Sequence, residues 1–148
     1  WLTVLTMVLV CIVVVLRYVF GIGSVGLQEL SVYLHGTVFM LGAAYTFKRG
    51  GHVRVDIFYR NFNQRQKAWV DSLGGIDFLF PLCFYTFFVS LDFVTQAWTI
   101  REVSPEPGGL PAVFLLKTLI PVMAVTLALQ AIADIFRNAL ILIEGSED

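Results

Sequence analysis

Charge is scarce in this sequence. Of its 148 residues only 14% are Asp, Glu, Lys or Arg, against about 25% in an average soluble domain. Hydrophobic residues make up 57%, and the mean hydropathy is +0.79. A chain of this length makes one domain of ordinary size, and a single soluble core would not hide that much apolar surface. A soluble globular fold is excluded on this ground, and an integral membrane protein is expected. The net charge of -1 carries no information by itself. No basic face interleaved with aromatic residues points to nucleic acid.

Cysteine and histidine are as sparse, with two of each. Cys11 and Cys83 fall in apolar runs, and neither has a second Cys or a His at metal-ligand spacing. A disulfide framework and a zinc site are therefore excluded, and both thiols read as small buried hydrophobes. A bis-His haem needs two ligands at one depth. His35 lies within an apolar run and His52 in a polar loop, so His35 reads as structural and a cytochrome-type anchor is disfavoured. There is no Ser/His/Asp set, no Cys/His pair at one depth and no carboxylate cluster. The chain reads as a non-enzyme without cofactor or metal. Gly21, Gly23 and Gly26 spell G-x-G-x-x-G, but they join two apolar runs where the dinucleotide fingerprint needs a strand, a helix and a distant ribose-binding acid. That motif is rejected.

Long apolar runs are present, and between them lies one basic stretch. Residues 48–67, KRGGHVRVDIFYRNFNQRQK, hold Lys48, Arg49, Arg54, Arg60, Arg65 and Lys67, six of the ten basic residues, against the single acid Asp56. Short loops rich in Lys and Arg stay on the cytoplasmic side of a membrane and orient the spans around them. Fixing this loop inside gives four transmembrane helices, some long and tilted, over about 1–20, 25–47, 78–98 and 111–136. They form one membrane domain over 1–148, with outer loops at about 21–24 and 101–110 and both termini cytoplasmic. Only Arg17 and Arg101 supply positive charge on the outer side.

The first run has no basic n-region and no small-x-small cleavage site, so it does not read as a signal peptide. It opens at Trp1, already apolar, and further residues upstream are expected. Val55, Phe58 and Phe62 recur at i, i+3 and i+7, a short amphipathic segment suited to the cytoplasmic headgroup region between the second and third spans. Asn63 is placed to cap the helix that follows. Residues 68–100 exceed a simple span, so the part before Asp77 is expected to protrude or tilt. Pro105, Pro107, Gly108 and Gly109 mark a loop, Pro111 suits the first turn of the last helix, and Pro121 is expected to bend it.

Ionisable groups inside spans are costly and direct attention to function. Arg17, Glu29, His35, Asp92 and Lys117 are the membrane-embedded polar residues, read as structural or interface groups. Asp92 and Lys117 have similar expected depths, which allows a pair between the third and fourth helices. Lys48, Arg49, His52, Arg54, Asp56 and Arg60 form the basic cluster, read as a topology signal, an anionic-lipid site or a subunit contact.

RYVFG at 17–21, QELSVYL at 28–34, FMLGAAYTFKRGGHVRVD at 39–56 and the Ser104-Pro105 turn followed by Pro111 and Pro121 stand in this order on a four-span chain. In this the sequence resembles the small membrane subunit of tripartite ATP-independent periplasmic (TRAP) transporters, the DctQ-like proteins. One departure is Gln28-Glu29, where many members carry two acids. The resemblance implies a non-catalytic scaffold subunit in a bacterial inner membrane, pairing with a large many-span subunit and a periplasmic substrate-binding protein. Together these import organic acids on a sodium gradient, with substrate and ion sites in the large subunit. An alternative is a self-sufficient four-helix exporter acting as a homodimer. Such an exporter should carry a membrane carboxylate in its first helix, and residues 1–16 have none.

Overall fold

The structure, a computed structural model, describes residues 1–51 and 59–144. Among them the chain is helical and has no strand. The elements are α1 (Leu2–Tyr18), α2 (Val25–Lys48), α3 (Gln64–Gly74), a π-helical turn (Gly75–Leu79), α4 (Phe80–Thr99) and α5 (Val113–Glu144). The expected amphipathic segment falls largely on residues 52–58, outside the described residues.

Among the described residues three helices are long and apolar enough to cross a bilayer: Val25–Lys48, the rod Gln64–Thr99 and Val113–Ile143. At about 1.5 Å per residue the rod and the last helix far exceed a hydrocarbon core of about 30 Å, as their long apolar runs predict. The expected first span is shorter than the others. With 17 residues, α1 is about 25 Å long. The glycine-bearing segment after Tyr18 ends it, and Gly21 there adopts a positive φ of 68°.

The helices pack in a row, α1 on α2, α2 on α5, and α5 on α4 and α3; no pair that skips a neighbour packs extensively. The contact surfaces use small residues. The buried residues of the rod are Ala68, Ser72, Gly75, Cys83, Ser90 and Ala97, facing Ala124 and Ala131 of α5. In a membrane, where lipid tails are as apolar as Leu, close backbone approach through such residues drives helix association.

Their spacing explains the π turn. Ala68 and Gly75 are seven apart, and so are Cys83, Ser90 and Ala97, but Gly75 and Cys83 are eight apart. In a regular α-helix that additional residue would rotate the upper stripe by about 100° away from α5. The wide turn at Gly75–Leu79, closed by the bond from Phe80 N–H to Gly75 O, absorbs it and keeps both stripes on one face.

Two helix ends close with the same pair of backbone bonds. After α2, Gly51 N–H reaches Thr46 O and Gly50 N–H reaches Phe47 O, both at 2.9 Å, with Gly50 at φ 64°. After α4, Glu102 N–H reaches Ala97 O at 2.9 Å and Arg101 N–H reaches Trp98 O at 3.2 Å. There the left-handed position is held by Arg101 at φ 49°, where glycine is the usual occupant. Pro111, expected in the first turn of the last helix, lies in the loop instead. The helix starts at Val113, and Ala112 O accepts the first bonds, from Leu115 and Leu116. The structure agrees that Asn63 precedes α3, where Gln66 Oε1 accepts the Asn63 N–H at 3.0 Å.

Candidate functional site

The row of helices has two polar ends. At one, the proline-rich loop 101–112 folds back over the start of α2. Ser24 accepts the Leu27 N–H at the entry to α2, which brings Glu29 round one turn later to face the loop. Glu29 Oε2 accepts the backbone N–H of Leu110 at 2.6 Å, and its Oε1 accepts the hydroxyl of Ser104. Ser104 Oγ in turn accepts the N–H of Glu106 at 3.2 Å, and Ser104 N–H donates to Leu110 O at 3.1 Å.

This clasp leaves no room for side chains between its parts. A Cβ on Gly109 would lie 2.8 Å from Glu29 Oε1 and closer still to Ser104 Oγ, and one on Gly26 would lie 3.1 Å from Gly108 O. The two glycines thereby let the loop backbone lie directly on α2. Beside the clasp the Tyr33 hydroxyl is shut in, with no hydrogen-bond partner among the described residues.

A second set of contacts fixes the same loop to the α4–α5 hairpin. Lys117 Nζ lies 2.5 Å from Glu102 Oε2 and 3.9 Å from the centre of the Phe93 ring. Trp98 Nε1 donates to Thr118 Oγ1 at 2.9 Å, and the Trp98 ring meets Phe114 edge-on at 4.7 Å. The Arg101 guanidinium lies 5.9 and 5.8 Å from these two rings, and such a stack offsets part of the cost of its left-handed backbone. The pairing of Asp92 with Lys117, allowed by the sequence, is not formed. Lys117 extends toward the loop and takes Glu102, which lies at the helix terminus where water is nearer. Asp92 is exposed on α4.

The other end carries the basic residues. Lys48 and Arg49 are exposed at the end of α2, where cations complement the helix dipole. Arg49 Nε donates to Tyr45 Oη at 3.2 Å. Tyr59 Oη donates to Asp71 Oδ2 at 2.7 Å with Lys67 Nζ 5.4 Å from its ring centre. A groove of about 620 Å³ opens between α2, α3 and α5, lined by Lys48, Asp71, Asp134, Arg137 and apolar side chains. Arg60 is exposed, while His52, Arg54 and Asp56 lie outside the described residues. Arg17 is exposed in the last turn of α1 and His35 is exposed on α2.

Of the described polar residues among those singled out from the sequence, then, the structure engages Glu29, Arg49 and Lys117 with named partners and does not gather these three into one cluster. It adds Glu102 and the Leu110 N–H, which sequence reasoning passed over, and gives Ser104, quoted there only as part of the Ser-Pro turn, a partner in Glu29. The available signal was the Ser-Pro turn with glycines four and five residues after Ser104, a backbone built to approach something closely. Among the described residues no group of three or more His, Cys, Asp or Glu side chains is arranged to hold a metal ion. What the arrangement does is mechanical: it ties α2 to the α4–α5 hairpin at one end of the row.

No curated protein matches the chain. The family described as tripartite ATP-independent periplasmic transporters, DctQ component, matches residues 6–140. That span takes in most of α1, all of α2, the basic stretch, the rod and the clasped loop, and most of α5. With its apolar helices of membrane-crossing length, the chain belongs to the DctQ family, the small membrane subunits of TRAP transporters.

Proposed function

We propose that this chain is the non-catalytic scaffold subunit of a sodium-coupled, binding-protein-dependent transporter that imports organic acids across a bacterial inner membrane. It pairs with the large transport subunit and works with a periplasmic substrate-binding protein. The observation that carries this reading is the family match over 6–140, which takes in all or most of each helix.

The helix row supports it physically. A coupling-ion site wants converging carboxylates and broken helices near the bilayer midplane. Here the carboxylate of Glu29 is taken up by loop hydrogen bonds at a helix start, and Lys117 by Glu102. Among the described residues the helices present contact surface, and no group of three or more His, Cys, Asp or Glu side chains converges. Alternating access by rigid-body movement of one part against another needs such a static wall.

In this reading the basic end lies in the cytoplasm, held by Lys48, Arg49, Arg54, Arg60, Arg65 and Lys67, together with both termini. The clasped loop then faces the periplasm. All four helices span as one membrane domain, α1 with the residues that flank it. The basic cluster of Lys48, Arg49, His52, Arg54, Asp56 and Arg60 at the cytoplasmic end serves as a contact for anionic lipid or for the large subunit.

The test is a tagged purification from mild detergent after co-expression with the large subunit. Co-purification and sodium-dependent uptake of an organic acid by proteoliposomes holding both subunits and the binding protein are expected. Recovery of the small chain alone or as a homodimer, with uptake unaffected by its omission, refutes the scaffold role.

A further inference from the structure

The α4 edge of the helix row exposes polar side chains in mid-helix, among aromatic and aliphatic ones, whereas α1 between Thr6 and Arg17 carries only apolar side chains and Cys11. α4 packs on α5 alone among the other helices of the row. Asp92 lies two residues past the buried Ser90, roughly 200° around the helix from it, and so points away from α5. Tyr85, seven residues before Asp92, and Gln96, four residues after it, share that side, and all three are exposed. None of the three side chains has a hydrogen-bond or ion-pair partner among the described residues, although other polar side chains of the same helix, Ser90 and Thr99, satisfy themselves on its backbone. At the opposite edge, α1 exposes Leu5, Val8, Ile12 and Val15.

Asp92 sits seven residues before the end of α4, about 10 Å inside it. Its side chain is too short to snorkel over that distance, unlike the longer stems of Lys or Arg. Charged groups within spans face protein or water and take a partner there. The carboxylate, the phenol and the amide share one side of the helix, with Phe88 and Val89 between the first two and the exposed Thr95 beside the amide. This pattern matches a helix surface bearing hydrogen-bond donors and a positive charge, and it does not match acyl chains.

Resting on the scaffold reading above, we infer that the Tyr85–Asp92–Gln96 edge of α4 is the docking surface for a transmembrane helix of the large subunit, which presents an Arg or Lys to Asp92, and that the α1 edge faces lipid. The occupant is fixed by charge complementarity. A second copy of this chain meeting the same edge would set Asp92 against Asp92, and like charges in such a setting repel.

A photo-crosslinking amino acid placed separately at Val89 and Gln96, and as controls at Val8 and Val15, tests this in cells co-expressing the large subunit. Purification of the unsubstituted pair establishes first that the two subunits associate. Failure at that step overturns the scaffold reading itself. Given association, adducts with the large subunit from positions 89 and 96, and only lipid adducts from positions 8 and 15, are expected. Large-subunit adducts from α1 alone, self-adducts from α4, or lipid adducts alone at 89 and 96 overturn the docking assignment while leaving the pairing intact. In parallel, Asp92→Lys should lower the large subunit recovered roughly tenfold or more, as expected for facing like charges across a desolvated contact. Asp92→Asn, which keeps the hydrogen bonds, should lower it only a few-fold. Equal recovery with Asp92→Lys and the unsubstituted chain also overturns it.

Discussion

The carboxylate of Glu29 accepts the backbone N–H of Leu110 across a separation of 81 residues, and its other oxygen takes the Ser104 hydroxyl. One side chain near the start of α2 thus sets the path of the loop between the last two helices. Glu29→Ala should lower the unfolding temperature in detergent and open the loop 101–112 to protease, with Glu29→Gln intermediate because an amide oxygen still accepts one bond. Unchanged protease sensitivity in Glu29→Ala would show that the loop holds itself.

Gly109→Ala tests the same closure sterically. The added methyl meets Ser104 and the Glu29 carboxylate, and overpacking of this kind costs about 1–3 kcal/mol. Gly23→Ala, where nothing lies within 4 Å, is the control and should leave the unfolding temperature unchanged to within a degree or so.

The Lys117–Glu102 pair, with side chains 18% and 30% exposed, should show coupling when its members are removed singly and together. Lys117→Met alone leaves Glu102 half-buried and unpaired, and a loss of about 1–2 kcal/mol follows after allowance for its access to water. Lys117→Met with Glu102→Met should recover part of that loss. Strictly additive effects in thermal unfolding would show the pair to be incidental.

Deleting Ile76 should be tolerated. Removal of one residue from the π turn makes the step between Gly75 and Cys83 seven, like the others in the stripe, and a regular helix then keeps every small residue on α5. Insertion of one alanine at the same place should instead turn Cys83, Ser90 and Ala97 about 100° away from α5 and abolish folded protein in size-exclusion chromatography. Loss of folded protein on deletion would mean that the wide turn itself is required.

Replacing Arg49, Arg54 and Arg60 together with Glu should weaken retention of the basic stretch in the cytoplasm. A cysteine placed at Asn61 and labelled from the periplasmic side with an impermeant reagent reads this directly. Exclusion of label from the triple variant would contradict the orientation proposed here.

Much of this molecule was legible in its sequence, for physical reasons. Apolar runs give spanning helices because a bilayer satisfies no backbone bond, and the Pro-Gly loop 105–109 ends α4 and delays α5. The small residues at Ala68, Gly75, Cys83, Ser90 and Ala97 carry even the π turn, once the odd step is noticed. Contacts between distant segments were not legible. Nothing local to Glu29 points to Ser104, and depth along a helix led to Asp92 as a match for Lys117, whereas direction around the helix decides it. Pro111 suits a first turn, but the Leu110 N–H is held by Glu29 and Leu110 O by Ser104 N–H, so the chain is still in its loop there.

Because the helices stand in single file, each inner helix touches protein on two sides, and α1 and α4 touch it on one. Such an arrangement has surface on almost every residue and an inside almost nowhere, as the buried set of small side chains already implies. Whatever lies against its two broad faces is then a structural component of the protein as much as its surroundings. Its measured stability should follow the lipid or detergent supplied, and should rise when another subunit takes the place of either.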